Sequence, residues 1–215
     1  MNLPFNPALF HPLPIVGILR FFPPTQLQHL VTAALDGGIV NFEVTMNSDG
    51  ADDLLRLACD RVGTRGNVGA GTVTSLDELD RALDAGASFI VTPAVIPEVI
   101  RACVDRQIPI MPGAMTPTEV LTAWRLGATL VKIFPADQLG PGHLRALKAP
   151  FPKIPLMPTG GVTPDTLAAF RQAGADAVGV GSPLFHPQHA AAENWDWIRA
   201  RAQAFVQAWR ASDPS

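Results

Sequence analysis

Lys132 stands inside an apolar run, LVKIF, that has the length and composition of a short buried strand. Side chains alternate between the two faces of a strand, so Val131 and Ile133 point one way and Lys132 points the other way. Burial lowers the pKa of a lysine, and a fall from about 10.4 to about 7 corresponds to roughly 4 to 5 kcal/mol in favour of the neutral amine. A neutral amine attacks carbonyl groups, so Lys132 is predicted to form an imine. The alternative is a side chain that extends past the strand end into solvent.

Glu43 occupies a similar place in a second apolar run, NFEVT. Because Phe42 and Val44 flank it in the same alternation, its carboxylate is predicted to lie inward, beside Lys132. A carboxylate next to an amine can move protons through carbinolamine, imine and enamine steps. The alternative is a buried ion pair that only holds the two groups together.

Three further apolar runs end in glycine-rich turns that suit anions. Thr72 ends the run GAGT, where a hydroxyl and nearby backbone amides could bind a carboxylate, although an ordinary turn before a helix is the alternative. Gly160 and Gly161 in PTGGVTP, and Gly181 and Ser182 in GVGSPL, each come before a helical segment. Helix N-termini bind phosphate, and the last two strand-to-helix loops of an eight-stranded barrel form such sites. These two turns together predict a phosphate site.

Other common catalytic arrangements are missing from the sequence. None of the five histidines stands in an HxxxH or HExxH spacing, and GxSxG does not occur. The sequence therefore predicts chemistry with no metal and no cofactor.

The segments that would position these residues repeat one pattern, in which an amphipathic stretch ends in glycine and a short apolar run follows. The glycines take the place of helix C-caps: Gly38, Gly86, Gly127 and Gly174. Predicted N-caps are Thr74 or Ser75, Thr116 and Thr163. Four further apolar runs, LPIVGIL, GNVGAGT, IPIMPG and IPLMPTGG, lie between them. The eight runs alternate with helical segments, which predicts a (β/α)₈ TIM barrel. A doubly wound sheet is the alternative, but it usually has fewer strands, and no GxGxxG follows the first run.

Length and composition limit the remaining possibilities. The 215 residues are predicted to form one barrel domain over 1–215, with 1–13 as an N-terminal extension or helix and 193–215 as a C-terminal helix and tail. A net charge of -3 gives no basic surface for nucleic acid. No leader pattern and no apolar run of about 18 residues occurs, so the prediction is a cytoplasmic protein without a membrane partner.

Five motifs in this order resemble the class I 2-keto-3-deoxy-6-phosphogluconate (KDPG) and 2-keto-3-deoxy-6-phosphogalactonate (KDPGal) aldolases, which are trimeric (β/α)₈ barrels. They are EVT at Glu43, GAGT ending at Thr72, VTP ending at Pro93, KIFPA from Lys132 and PTGGVTP from Pro158. The similarity runs from about residue 14 to about residue 184. The resemblance implies a homotrimer that reversibly cleaves a phosphorylated keto-deoxy sugar acid into pyruvate and glyceraldehyde 3-phosphate.

The resemblance also implies roles for individual residues. Lys132 would form the imine with the pyruvyl carbonyl, and Glu43 would move protons. The pyruvate pocket would be lined by Thr72 and Pro93, with Phe134 beside the imine. The phosphate would be held by Gly160, Gly161 and Ser182, with Gly181 in the same turn.

Four positions bear on which branch of the family the chain resembles. Asn47 stands where the KDPG type has an arginine for the carboxylate, and Arg20 offers a substitute guanidinium at the end of the first apolar run. Asn47 and Ser48 together, and the segment KIFPADQLGPGHLRALKA, resemble the KDPGal type. Thr159, before the glycine pair, resembles the KDPG type instead. The prediction is a KDPGal aldolase, and the alternative is an aldolase for KDPG and 4-hydroxy-2-oxoglutarate. More remote alternatives are an epimerase or isomerase with Glu43 as base, and a non-catalytic barrel that binds sugar phosphates.

Overall fold

The computed structural model describes residues 3–212, so the ends of both predicted terminal segments, 1–2 and 213–215, lie outside the described residues. Parallel strands alternate with helices through most of this range. The strands are β1 Ile15–Leu19, β2 Asn41–Thr45, β3 Asn67–Gly71, β4 Ile90–Val91, β5 Ile110–Met111, β6 Gly113–Ala114, β7 Val131–Ile133, β8 Leu156–Pro158 and β9 Val178–Val180. The helices are α1 Pro7–Phe10, α2 Pro24–Asp36, α3 Ala51–Val62, α4 Leu76–Asp84, α5 Pro97–Asp105, α6 Pro117–Arg125, α7 Ala136–Lys148, α8 Pro164–Gln172, α9 Pro187–Ala191 and α10 Trp195–Ala211.

The strands form a curled parallel sheet in two segments. One segment has the order β5-β4-β3-β2-β1-β9 and the other has the order β6-β7-β8, with parallel pairing throughout. The predicted alternation of parallel strands and helices is therefore confirmed as an α/β fold. The carboxyl ends of the strands lie at one edge of this sheet.

The two segments also contact each other outside the regular ladders. Pro112, which has no N–H group, separates β5 from β6. Its carbonyl oxygen accepts a hydrogen bond from Lys132 N–H at 2.9 Å. Thr129 N–H donates a hydrogen bond to the Ile110 carbonyl at 2.9 Å, so both bonds link the β5 side to the β7 side. At the other edge, Thr159, which directly follows β8, forms an isolated parallel bridge with Gly179 in β9.

The predicted helix boundaries were close to those observed. Thr116 and Thr163 are the N-caps of α6 and α8, each in a capping box, and Ser75 rather than Thr74 caps α4.

The predicted glycine C-caps were wrong by one residue. Gly38, Gly86, Gly127 and Gly174 each follow the C-cap, with φ between 98° and 104°. They are glycines because the residue after the cap takes the left-handed conformation.

Apolar side chains pack on both faces of the sheet. The larger cluster lies between the sheet and the helices and includes Val131 and Ile133. The smaller cluster fills the inner face from α1 upward and consists of Phe10, Val16, Phe89, Val91, Met111, Leu130, Met157 and Ala177. We call this second group the inner cluster.

Both terminal segments pack against this core. Asn6 exchanges hydrogen bonds with Asn67, which in turn donates to Asn41 Oδ1 at 2.9 Å, so α1 is fixed across the amino ends of β2 and β3. The C-terminal helix was predicted from residue 193, and α10 begins at Trp195 after an Asn194 cap. It packs on α2 and α8. Within residues 3–212, no helix has the length and hydropathy needed to cross a membrane.

Candidate active site

A cavity of about 260 Å³ opens at the carboxyl ends of the strands. In parallel α/β sheets this is the edge where ligands bind. Eight of the predicted site residues line it: Arg20, Lys132, Phe134, Thr159, Gly160, Gly161, Gly181 and Ser182. Three others, Glu43, Thr72 and Pro93, lie outside the lining. The cavity therefore joins the lysine to both glycine turns.

Lys132 is on β7 with its side chain on the inner face, opposite Val131 and Ile133. It is only 4% exposed. Burial lowers the pKa of its amine, the Glu43 carboxylate opposes that change, and the Arg20 guanidinium adds to it. The Phe134 ring centroid lies 5.2 Å from Lys132 Nζ. The amine is thus a buried group at the wall of a cavity, with its pKa below the ordinary value.

Glu43 is on β2, 1% exposed, and behind the cavity wall. Burial raises the pKa of its carboxyl group, while the charges of Lys132 and Arg20 lower it. Within the described part of the chain, neither carboxylate oxygen has a hydrogen-bond partner. This differs from a structural ion pair, in which both oxygens are normally bonded. Gly71 leaves the space for the carboxyl group, because a Cβ atom there would collide with Glu43 Oε1.

Arg20 follows β1 and reaches across to the end of β3. Its Nη2 donates to Thr72 Oγ1 at 3.2 Å. Both Thr72, with φ 58°, and Phe21, with φ 60°, adopt the left-handed conformation that costs a non-glycine residue about 1 to 3 kcal/mol. Such strain persists only where the surrounding structure holds it. The contact brings the predicted carboxylate-binding residues Arg20 and Thr72 together.

Pro93 follows β4, and the strand formed by β5 and β6 lies between β4 and Lys132 on β7. Its carbonyl oxygen packs so closely on Gly113 that a Cβ atom at Gly113 would collide with it. Gly113 in turn pairs with Lys132 in the β6–β7 register. Pro93 therefore supports the strand beside the lysine.

The two glycine turns both line the cavity. Gly160 and Gly161 have φ values of 102° and 69° and come before α8, while Gly181 and Ser182 follow β9. Asp137, which sequence reasoning missed, lies next to the first pair. A Cβ atom at Gly161 would be 2.6 Å from Asp137 Cβ. The positive φ favours glycine at both Gly160 and Gly161, and at Gly161 the space also requires it.

Thr159 lies between the lysine and the glycine turns, and it is 4% exposed. Its hydroxyl is 3.4 Å from the Met157 carbonyl, a long contact for a hydrogen bond. Gly179 on the neighbouring strand makes room for it, because a Cβ atom there would collide with Thr159 Oγ1. This long contact leaves the hydroxyl with capacity for a further hydrogen bond.

A second contact missed by sequence reasoning lies behind Arg20. Ser48 Oγ accepts a bond from Phe21 N–H at 3.1 Å and lies 3.0 Å from Thr45 Oγ1. The motif around Asn47 and Ser48 was interpreted only as a mark of the KDPGal branch. No periodicity or spacing signals this contact, because it joins two loops.

A second cavity within residues 3–212 lacks this combination. A cavity of about 730 Å³ opens at the amino ends of the strands, but its lysine, Lys148, is bound to Asp176 Oδ2 at 2.6 Å and to the Ile154 carbonyl at 2.8 Å. Residues 3–212 contain no group of three His, Cys, Asp or Glu side chains that could hold a metal ion.

The chain is similar to known aldolases along nearly its whole length. It is 36% identical over 199 residues to the 2-dehydro-3-deoxy-6-phosphogalactonate aldolase of Escherichia coli (strain K12), covering 92% of this chain and 95% of the relative. It is 34% identical over 189 residues to the 2-dehydro-3-deoxy-phosphogluconate aldolase of Pseudomonas aeruginosa, covering 87% and 83%. A solved structure described as native KDPGal superposes with a TM-score of 0.86 at 35% identity, covering 93% of this chain and 96% of its own. The family model described as KDPG and KHG aldolase matches residues 8–201. The chain therefore belongs to this aldolase family.

Proposed function

We propose that this aldolase reversibly cleaves KDPGal (2-dehydro-3-deoxy-6-phosphogalactonate) into pyruvate and D-glyceraldehyde 3-phosphate. The observation that carries the proposal is one cavity lined both by the buried Lys132 and by two glycine turns. An amine and an anion site in one cavity suit a keto acid that carries phosphate at its far end. The 36% identity to a KDPGal aldolase supports the choice of substrate.

The reaction follows from the placement of Lys132 and Glu43. The neutral amine of Lys132 attacks the C2 carbonyl, and protonation and loss of the carbinolamine hydroxyl as water leave a protonated imine. The C4 hydroxyl loses its proton to a base, the C3–C4 bond breaks, and its electron pair moves into the imine to give an enamine. Protonation at C3 and hydrolysis then release pyruvate and restore the lysine. Glu43, whose carboxylate oxygens are unbonded, takes and returns these protons.

The remaining site residues hold the two ends of the substrate. Arg20 pairs with the C1 carboxylate, and Thr72 and Pro93 support that end of the site. Phe134 packs beside the imine, at the distance its ring keeps from Lys132 Nζ. The backbone N–H groups of the two glycine turns, together with Ser182, bind the phosphate.

The test is covalent capture on Lys132. Incubation with pyruvate and borohydride in excess chelator should leave one reduced pyruvyl adduct, found on Lys132 by peptide mass spectrometry. Chelator should have no effect, because the imine rather than a metal accepts the electrons. An unmodified Lys132 in a protein that still turns over would disprove the proposal. Absence of pyruvate release with an intact fold would instead favour the epimerase or binding-protein alternatives.

The KDPG epimer is the second candidate substrate, and Thr159 favours it. Its hydroxyl lines the cavity between the lysine and the phosphate turns, where it can bond to a C4 hydroxyl of one configuration. One such bond discriminates by about 1 to 3 kcal/mol. We therefore propose that both epimers are cleaved, with kcat/KM values that differ by less than about 100-fold.

Replacing Thr159 with Val should shift the ratio of the two kcat/KM values toward KDPGal. Valine keeps the shape of threonine and removes only the hydroxyl, so the KDPG epimer alone loses a bond. The measurement is pyruvate release from each purified epimer, in the wild type and in Thr159→Val. An unchanged ratio would show that Thr159 does not distinguish the C4 configuration.

We also propose that the strands close into a complete (β/α)₈ barrel within one domain spanning 1–215. The Thr159–Gly179 bridge and the bonds of Pro112 and Ile110 support closure at both edges of the sheet.

The family resemblance implies a homotrimer, for which exposed apolar side chains such as Leu76 and Trp124 offer contact surface. A substrate that carries phosphate does not cross a bilayer unaided, which supports the predicted cytoplasmic location.

A further inference from the structure

The turn after β1 keeps Phe21 in a left-handed conformation that its own side chain does not explain. The ring is 64% exposed, so packing contributes little to holding φ at 60°. The backbone N–H of Phe21, however, donates to Ser48 Oγ at 3.1 Å. This bond ties the strained residue to another part of the chain.

Ser48 is in turn fixed to the end of β2. It is 7% exposed, its N–H donates to the Thr45 carbonyl at 3.0 Å, and its hydroxyl lies 3.0 Å from Thr45 Oγ1. Thr45 is fully buried and lies two residues after Glu43 on the same strand. The hydroxyl of Ser48 therefore holds a fixed place relative to the carboxylate.

Arg20 directly precedes Phe21, so its position depends on the same turn. The guanidinium lines the cavity and contacts Thr72 Oγ1 at 3.2 Å, but the residue is otherwise exposed. A long exposed side chain has many rotamers, and its backbone anchor limits which of them can reach the cavity. The Thr72 contact and the Phe21 ring, whose centroid lies 5.9 Å from Arg20 Cζ, limit them further and depend on the same turn. The charge of Arg20 also acts on both Lys132 and Glu43.

We propose that Ser48 is a positioning residue for Arg20. By accepting the Phe21 N–H, Ser48 fixes the turn that directs the guanidinium toward the carboxylate of the keto acid. The inference rests on the proposed function, because it takes Arg20 as the partner of the C1 carboxylate. It predicts that the loss of one buried hydroxyl weakens pyruvate binding without damaging the chemical step.

Ser48→Ala is the direct test. The pyruvate concentration that gives half-maximal borohydride trapping should rise about tenfold, the size expected when one bond to a charged group is lost. The kcat for cleavage should stay within about threefold of the wild type, and inhibition by inorganic phosphate should not change. Ser88→Ala is the matched control, because Ser88 is 8% exposed and its hydroxyl bonds only the distant Val68 carbonyl.

A double-mutant cycle separates positioning from general destabilisation. In an Arg20→Ala background, Ser48→Ala should change pyruvate trapping by less than about twofold, since the group that it positions is gone. An undiminished effect in that background, or an unchanged pyruvate requirement in Ser48→Ala, would overturn the proposal. If Ser48→Ala does not fold, Ser48→Cys offers a weaker acceptor of similar size and should give a smaller rise that also vanishes without Arg20. Failure of the wild type to trap pyruvate would contradict the proposed function itself rather than the role of Ser48.

Discussion

Replacing Lys132 with Met lowers the rate of pyruvate release by at least about 10⁴-fold, the range seen when a covalent nucleophile is removed. Methionine has a similar volume and no charge, so the buried position on β7 stays filled. The fold should persist, because the variant replaces a polar amine that is 4% exposed with an apolar side chain. The measurement is single-turnover pyruvate release, with thermal melting to confirm the fold.

Lys153→Met is the matched control. Lys153 is exposed, away from the cavity lining, and this variant should keep the activity of the wild type within about twofold. Borohydride with pyruvate should label Lys153→Met and not label Lys132→Met. A Lys132→Met protein that keeps more than about one per cent of wild-type turnover would remove the imine from the mechanism.

Replacing Glu43 with Gln should lower kcat by about 10²-fold or more, the usual effect of losing a positioned proton shuttle. Glutamine fits the space above Gly71 and cannot take a proton. Loss of the carboxylate also removes the charge that raises the pKa of Lys132, so the amine becomes neutral at lower pH. Trapping of pyruvate on Lys132 should therefore survive while carbon–carbon cleavage fails.

The pH profile gives an independent check of Glu43. Burial raises the pKa of its carboxyl group, so the wild type should lose the ionised base, and hence kcat, as pH falls through that raised value. This limb should be absent in Glu43→Gln. Glu98→Gln, at an exposed position on α5, should keep both the rate and the limb. A near-normal kcat in Glu43→Gln would return Glu43 to a structural role.

The alternation of side chains carried most of what the sequence predicted correctly. A period of two is enough to place Lys132 and Glu43 on the same face of their strands, because Val131 and Phe42 must pack under helices. Threonine and serine N-caps gave the helix starts, since each offers an oxygen to a free backbone N–H group. The parallel order follows once strands alternate with helices.

Contacts between loops could not be predicted in this way. The bond from Phe21 to Ser48 joins two turns whose relative place depends on the finished sheet. Asp137 meets Gly161 only because α7 starts beside the loop after β8. Pro112 separates β5 from β6, which periodicity alone would predict as one continuous strand. Each depends on distances in space that one-dimensional patterns do not contain.

The inner cluster has a kinetic consequence. Packed apolar side chains occupy the inner face from Phe10 to Met157, which pairs with Lys132 in the β7–β8 register. Small molecules therefore enter and depart by the same mouth at the carboxyl ends of the strands. On the proposed mechanism, pyruvate stays bound covalently to Lys132 after the C3–C4 bond breaks, whereas the phosphorylated aldehyde is held only by noncovalent contacts. The aldehyde therefore departs first, and in the synthetic direction pyruvate binds before the aldehyde, so the proposed mechanism imposes a compulsory order of binding and release on a reaction that is chemically reversible.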